Sequence, residues 1–341
     1  MEAEFLSAPA PRVVHRSSAM YRFPHEIAYL SQTKLSYVNL PGLLSDGKRD
    51  RTARVPGFVA VQLGERCYLI FIQDGDPFHA GRVDPAGRRQ VALAEVLRIA
   101  STESERGENG QIGFFGAPEG QLRAMLATLL HDPVRCEEVA RPGHLFPALR
   151  EQCFSGVVEL YVGGAFQYLA FQDGTCRAGY LCERDPSVPV GECIRALFQA
   201  AGPDLRVTLF PPLADLPVQA GPGLADLYRR IIGGILREVS APVGREAGLE
   251  LMRCAHQVVA ARRPALAALD LTDEGRVRGY PVATPGDLTE AVADWVTEAL
   301  IAAADQYAVD PGEVVERVAR DSRFVLAEQG FFARLPWAVA F

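Results

Sequence analysis

Apolar residues between positions 57 and 83 come in short, nearly unbroken runs, each closed by a turn signal. Tyr68-Leu69-Ile70-Phe71-Ile72 ends in Gln73-Asp74-Gly75. A hundred residues later Tyr168-Leu169-Ala170-Phe171 ends in Gln172-Asp173-Gly174. Asp-Gly after an apolar run marks a tight hairpin, because both central residues of a type I′ turn need φ > 0. The runs predict strands at 57–63, 67–73 and 77–83, and again at 156–162, 166–172 and 176–182.

The two sets agree beyond their turns. Gly57-Phe58-Val59-Ala60-Val61 answers Gly156-Val157-Val158-Glu159-Leu160, Gly64 answers Gly163, and Ala80-Gly81 answers Ala178-Gly179. This is the pattern of an internal duplication, in which Gly57, Asp74, Gly75, Gly156, Asp173 and Gly174 serve the turns and strand starts. Apolar residues at three- and four-residue spacing predict helices near 90–100, 121–131, 145–149 and 192–198, with further strands at 112–115 and 205–210. Ile27, Leu30, Leu35, Val38, Leu43 and Leu44 suggest one more helix from Glu26, interrupted at Pro41. The unit is then helix, three-strand meander, helix, strand, given twice within residues 30–212.

A Pro/Gly-rich stretch from Pro211 to Gly223 reads as a linker. Beyond it the pattern changes to helix. Leu224, Leu227, Tyr228, Ile231, Ile232, Ile235, Leu236 and Val239 form a sustained amphipathic stripe, and a second helix runs from about Arg245 to Arg262. Residues 269–280 suggest a small hairpin. Thr284-Pro285-Gly286-Asp287 and Asp310-Pro311-Gly312-Glu313 each open a helix with a capping residue, a proline and an acid. Leu224 to Ala255 and Leu288 to Asp321 look like two related helical hairpins. The expected class is α+β: two tandem antiparallel-meander-plus-helix modules followed by a mainly α domain. Its parts are an extended arm at 1–24, modules at 25–138 and 139–218, and a helical domain at 219–341 with an apolar tail.

Composition narrows the function classes. Hydrophobic content of 48% and charged content of 23% are those of a folded chain. No apolar run is long enough to span a bilayer. Met1-Glu2-Ala3-Glu4 opens with acid and lacks a secretory apolar region, so the expected location is the cytoplasm. A net charge of -7 argues against a nucleic-acid partner. Seven scattered cysteines without a CxxC read as reduced, mostly buried thiols, with Cys67, Cys153 and Cys193 in apolar surroundings.

Reactive constellations are few. The chain has no phosphate-binding glycine loop, GxSxG, HExxH or EF-hand loop. Gly163-Gly164 reads as a turn between strands, and Gly233-Gly234 as a break in a helix that lets helices approach. His79 near Asp76 is the best catalytic-looking pair, although the second set carries Ala178 and Thr175 in their places. Cys176 and Cys182 flank a strand, and His256 sits among Leu251, Met252 and Val259 as a core or boundary histidine. Neither a catalytic residue nor a metal or cofactor site is assigned.

The duplicated unit resembles the DUF4388 family, also called the PATAN domain, on Pro56-Gly57 … Phe71-Ile72-Gln73-Asp74-Gly75 … His79-Ala80 and Ser155-Gly156 … Phe171-Gln172-Asp173-Gly174 … Arg177-Ala178. The first copy carries one extra residue between Phe71 and Asp74. The resemblance covers about half of the chain and implies a non-catalytic bacterial adaptor that binds proteins, with a response regulator or a motility or polarity component among the candidate partners and self-association open. The alternative is a small-molecule-responsive regulator with a pocket in or between the modules.

Two stretches are candidate interaction surfaces. Asp46 to Arg54, with Lys48, Arg49, Arg51 and Arg54, reads as a charged loop, either a docking surface or simply solvated. Phe331, Phe332, Leu335, Trp337, Val339 and Phe341 make the chain end strongly apolar. Leu335 to Phe341 alternate as an extended segment would require, so this face must be covered by the protein itself, a partner or a second copy.

Overall fold

The computed structural model describes residues 21–49, 56–107, 110–137, 142–185, 187–201, 204–307 and 309–340. Strand β1 (Ile27–Lys34) leads through a single 3-10 turn into α1 (Leu40–Arg49). Then β2 (Gly57–Leu63), β3 (Arg66–Gln73), β4 (Asp76–Asp84) and β5 (Gly87–Gln90) run as consecutive hairpins, followed by α2 (Leu93–Arg106), β6 (Gly110–Gly116) and α3 (Glu119–Leu130). Next come β7 (Arg135–Glu137), α4 (Pro142–Glu151), β8 (Gly156–Val162), β9 (Ala165–Gln172), β10 (Thr175–Tyr180), α5 (Val190–Ala201) and β11 (Arg206–Phe210). The rest is α6 (Pro222–Val243), α7 (Arg245–Ala260), a small hairpin of β12 (Asp270–Leu271) and β13 (Val277–Arg278), α8 (Pro285–Tyr307), α9 (Pro311–Ala319) and α10 (Arg323–Glu328).

The protein is α+β, with antiparallel meanders and a helical C-terminal region. One sheet has the order β1-β6-β2-β3-β4-β5, the other β10-β9-β8-β11-β7. From β1 to β4 and from β7 to β10 the order is the same, and helices fall at the same points of the chain: before each meander (α1, α4), and between it and the strand that follows (α2 before β6, α5 before β11). The meander turns are those the sequence demands. Gln73 pairs with Asp76 and Gln172 with Thr175, leaving two-residue loops in which Asp74 (φ 53°), Gly75 (81°), Asp173 (49°) and Gly174 (72°) all lie in the left-handed region.

Both faces of the first sheet are buried, which is why Tyr68–Ile72 reads as an unbroken apolar run. Val59, Val61, Ile70 and Ile112 pack outward under α2. Phe58, Cys67, Leu69 and Phe71 face inward, where they meet α3 together with Val157, Phe166 and Tyr168 of the second sheet. The second sheet buries Val158, Leu160, Leu169 and Phe171 under α4 and α5. Helix α3 is therefore buried on nearly every side, from Gln121 to Leu129, as expected of a helix held between two sheets.

Four local expectations are corrected. The helix expected from Glu26 begins as strand β1, paired with β6 from Ile27–Gly116 to Lys34–Gln111. Ile27, Leu30, Leu35 and Val38 imitate a helical stripe, yet of these only Leu35 is fully buried; sheet pairing, not a buried face, sets the conformation. Asp46 to Arg49 continue α1 instead of forming a loop, while Arg51 and Arg54 lie outside the described residues. Strand β7 belongs to the second sheet through β11, so that sheet draws on residues placed in the first module. Helix α6 passes through Gly233-Gly234 unbroken. A side chain at Gly234 would come within 2.5 Å of Val318, so close helix approach is the reason for that glycine.

The helical domain packs α6, α7 and α8 around Ile232, Ile235, Met252, Trp295 and Val296. Its helix starts follow the sequence signals. Thr284 Oγ1 accepts from Asp287 N–H at 3.1 Å, and Asp310 Oδ1 accepts from Gly312 and Glu313 N–H. Two buried polar side chains of this core find partners: Trp295 Nε1 donates to Met252 O (2.9 Å) and Tyr228 to Thr289 (2.7 Å). Among the described residues, no helix is long and apolar enough to cross a membrane.

Candidate functional site

Three junctions hold the molecule together, and the chemically capable side chains gather there. The first joins β4 to the linker. His79 is 2% exposed, with Nδ1 at 3.1 Å from Pro217 O and Nε2 at 3.3 Å from Gln219 Nε2. The Gln219 amide is fixed by its other contacts: Oε1 accepts from Leu93 N–H at the start of α2 (3.0 Å), and Nε2 faces Ala80 O (3.3 Å). The amide therefore presents N–H to the imidazole, whose Nε2 must accept and whose Nδ1–H donates to Pro217. Burial lowers the His79 pKa to about 4, against a smaller raising effect of the Pro217 hydrogen bond. Asp76 opens the same strand at the exposed end of the hairpin. Sequence proximity pairs His79 with Asp76; the fold gives its ring nitrogens to Pro217 and Gln219, which lie in a stretch whose Pro/Gly-rich pattern marks only a linker.

The second junction joins the two sheets. Arg88 of β5 pairs with Glu159 of β8, their side chains 15% and 4% exposed. The guanidinium lies 4.5 Å from the ring centre of Phe166. Burial pushes the Glu159 carboxyl up, and the charge and hydrogen bond of Arg88 pull against this. Burial also raises the Tyr168 hydroxyl well above its usual value, with Glu159 adding to it. In the first copy Ala60 stands at the position of Glu159, so this acid belongs to the contact between sheets and not to the strand pattern.

The third junction is a cavity of about 340 Å³ between β2, β3 and β6 of the first sheet, residues 21–25, and the Cys182-Glu183 turn of the second module. Residues 21–25, the end of the expected arm, are packed in place: Arg22 N–H donates to Gly164 O (2.9 Å) and Phe23 stacks on Phe166 at 5.1 Å. Residues 1–20 lie outside the described residues. The cavity wall is mainly apolar, with Gln62, Cys67 and Cys182 among its polar members. Burial raises both thiols to about 12.

A separate groove of about 350 Å³ runs between α7 and α8, lined by Leu251, Cys254, Ala255 and Val258 on one side and by Ala302 and Tyr307 on the other. Val258 is 51% and Tyr307 40% exposed, and Ile301 on α8 is 46% exposed. Glu250 and Glu298 border it.

The other candidates are placed as follows. Phe331 and Leu335 are buried in the helical core, with Phe332, Trp337 and Val339 packed against it; Phe341 lies outside the described residues. The protein itself thus covers Phe331 and Leu335 of the apolar tail and part of Phe332, Trp337 and Val339. Lys48 and Arg49 lie in α1. His256 contacts Leu266 O (3.1 Å) and packs on Trp295. The expectation of mostly buried thiols is corrected: Cys67 is buried, whereas Cys153, Cys176 and Cys254 are exposed. Cys153 ends α4 with φ 48°, a helix-terminating position that holds it out of the core. Among the described residues, no group of three His, Cys, Asp or Glu side chains is placed to hold a metal ion.

Compared with family models, curated proteins and solved structures, the chain matches none of them.

Proposed function

We propose that this chain is a non-catalytic adaptor that binds a protein partner in bacterial signalling, and that the partner lays an amphipathic helix in the groove between α7 and α8. The groove carries this reading. It is mainly apolar, keeps Val258 and Tyr307 partly in solvent, and lies along two neighbouring helices, as in helix-in-groove recognition. Glu250 flanks the groove, with Glu298 shared with Arg262 (3.4 Å), so a helix with a basic residue beside its apolar face is favoured at Glu250. The titratable groups at the junctions have structural work: His79 holds the linker and Glu159 holds the sheets together. The DUF4388 resemblance points to the same class of function and makes a response regulator or a motility or polarity component the first partner to try.

Affinity capture from an extract of the source organism, with mass spectrometry, compares wild type with Val258→Glu. The reading expects a partner enriched by wild type and lost in the variant, whose melting temperature stays within about 1–2 °C because an exposed surface substitution costs about 0.5 kcal/mol or less. Identical protein sets from both would overturn it.

A further inference from the structure

We infer that the cavity between the first sheet, residues 21–25 and the Cys182-Glu183 turn is a binding site for a compact, uncharged, largely apolar ring compound that presents one hydrogen-bond donor. Its volume of about 340 Å³ lies within the range of small-molecule sites, about 300–1,000 Å³. Ala60, Gly113, Phe115 and Phe23 give it apolar walls. Its charges are at the rim and cancel: Arg22 pairs with Glu183, whose side chains are 47% and 77% exposed. An ion inside would have no counter-charge.

The requirement for a donor comes from Gln62. This side chain lines the cavity and is 7% exposed. Its Nε2 donates to Gly64 O at 2.6 Å, which fixes the amide, since the flipped orientation would set two carbonyl oxygens against each other. Its Oε1 is left buried with no hydrogen-bond partner among the described residues. A buried acceptor without a partner costs stability, and a ligand N–H or O–H would remove that cost. The rim supplies a further sign of a built site. Glu183 holds φ at 55°, a conformation that non-glycine residues adopt seldom and mostly where the surroundings impose it. Such a ligand would touch the first sheet, residues 21–25 and the second module together, so its binding would stiffen the contact between modules.

Indole and indene test this, being nearly the same shape with and without the N–H. Calorimetric titration of each into the full chain is expected to show indole binding about 3- to 10-fold more tightly, the value of one hydrogen bond to a buried acceptor. Gln62→Met, which keeps the length and removes the acceptor, should bring the two to equal affinity. Ala60→Leu, which fills the cavity, should abolish binding of both. The inference is overturned if wild type binds neither compound, if it binds indene as tightly as indole, or if the preference survives in Gln62→Met.

Discussion

Gln219 reaches back from the linker to place its amide nitrogen 3.3 Å from Nε2 of His79, the histidine that the sequence marks out for chemistry. One glutamine there receives the first N–H of α2, faces a carbonyl of β4 and sets the tautomer of a buried imidazole. Gln219 N–H also donates to Phe78 O (2.7 Å), and Ala220 N–H to Ala283 O (2.8 Å). The helical domain is thereby tied to the first sheet by backbone as well as by side chain.

Protonation of His79 should release this tie. Its folded pKa of about 4 lies below the ordinary value of 6.5, so as pH falls the unfolded chain takes up the proton first. Its contribution is complete above pH 6.5 and is lost on descent towards 4, by up to roughly 3 kcal/mol. Glu159, raised by burial, acts in the opposite sense and favours the folded state less as pH rises. The difference between wild type and His79→Leu isolates the histidine. Urea unfolding between pH 4 and 7 should show a steeper loss on acidification in wild type; parallel curves would contradict the assignment.

The Arg88–Glu159 pair should behave as a unit. Removing one partner strands a buried charge and should cost about 3–5 kcal/mol, so Arg88→Met is expected to be severely destabilised at neutral pH. Arg88→Met with Glu159→Leu should recover most of that loss. Additive losses in the double variant would mean that the two do not couple.

How much of this was legible in the sequence depends on where each signal resides. The meanders were readable because two-sided burial makes apolar runs and the Asp-Gly turns have few alternatives. The ends of α8 and α9 were readable because Thr284 and Asp310 cap locally. Strand β1 was not, since Ile27, Leu30 and Leu35 carry a helical spacing and only the edge of β6 decides the matter. Gln219, Arg88 and Glu159 were invisible for a common reason: each takes its meaning from a residue more than sixty positions away. The α7–α8 groove was hidden because Val258 and Tyr307 look like ordinary members of amphipathic helices until their exposure is known.

Gly174 and Gly64 separate conformational cost from collision. Both hold positive φ, 72° and 59°, but a Cβ at Gly174 would sit 2.6 Å from the Arg150 backbone, whereas Gly64 has open space. Gly64→Ala should cost about 1 kcal/mol and Gly174→Ala about 2 kcal/mol or more. Equal melting temperatures for the two variants would speak against the packing of α4 on this turn.

The apolar tail should matter to folding. Phe331 is fully buried, with its ring centre 6.0 Å from that of Tyr228. Phe331→Ala should cost about 3–5 kcal/mol, and deletion of residues 331–341 should lower the melting temperature further. An unchanged melt after deletion would show that the tail is not part of this core.

Site-specific photo-crosslinking at Val258 tests the adaptor reading most directly. A benzophenone amino acid at position 258, expressed in the source organism, should form a covalent adduct with another protein, mapped by mass spectrometry to an amphipathic helix with basic flanks. The same probe at Arg150, exposed at the end of α4, should give no such adduct. Absence of any adduct at 258, or the same adducts at both positions, would contradict the claim that the groove between α7 and α8 is where this protein meets its partner.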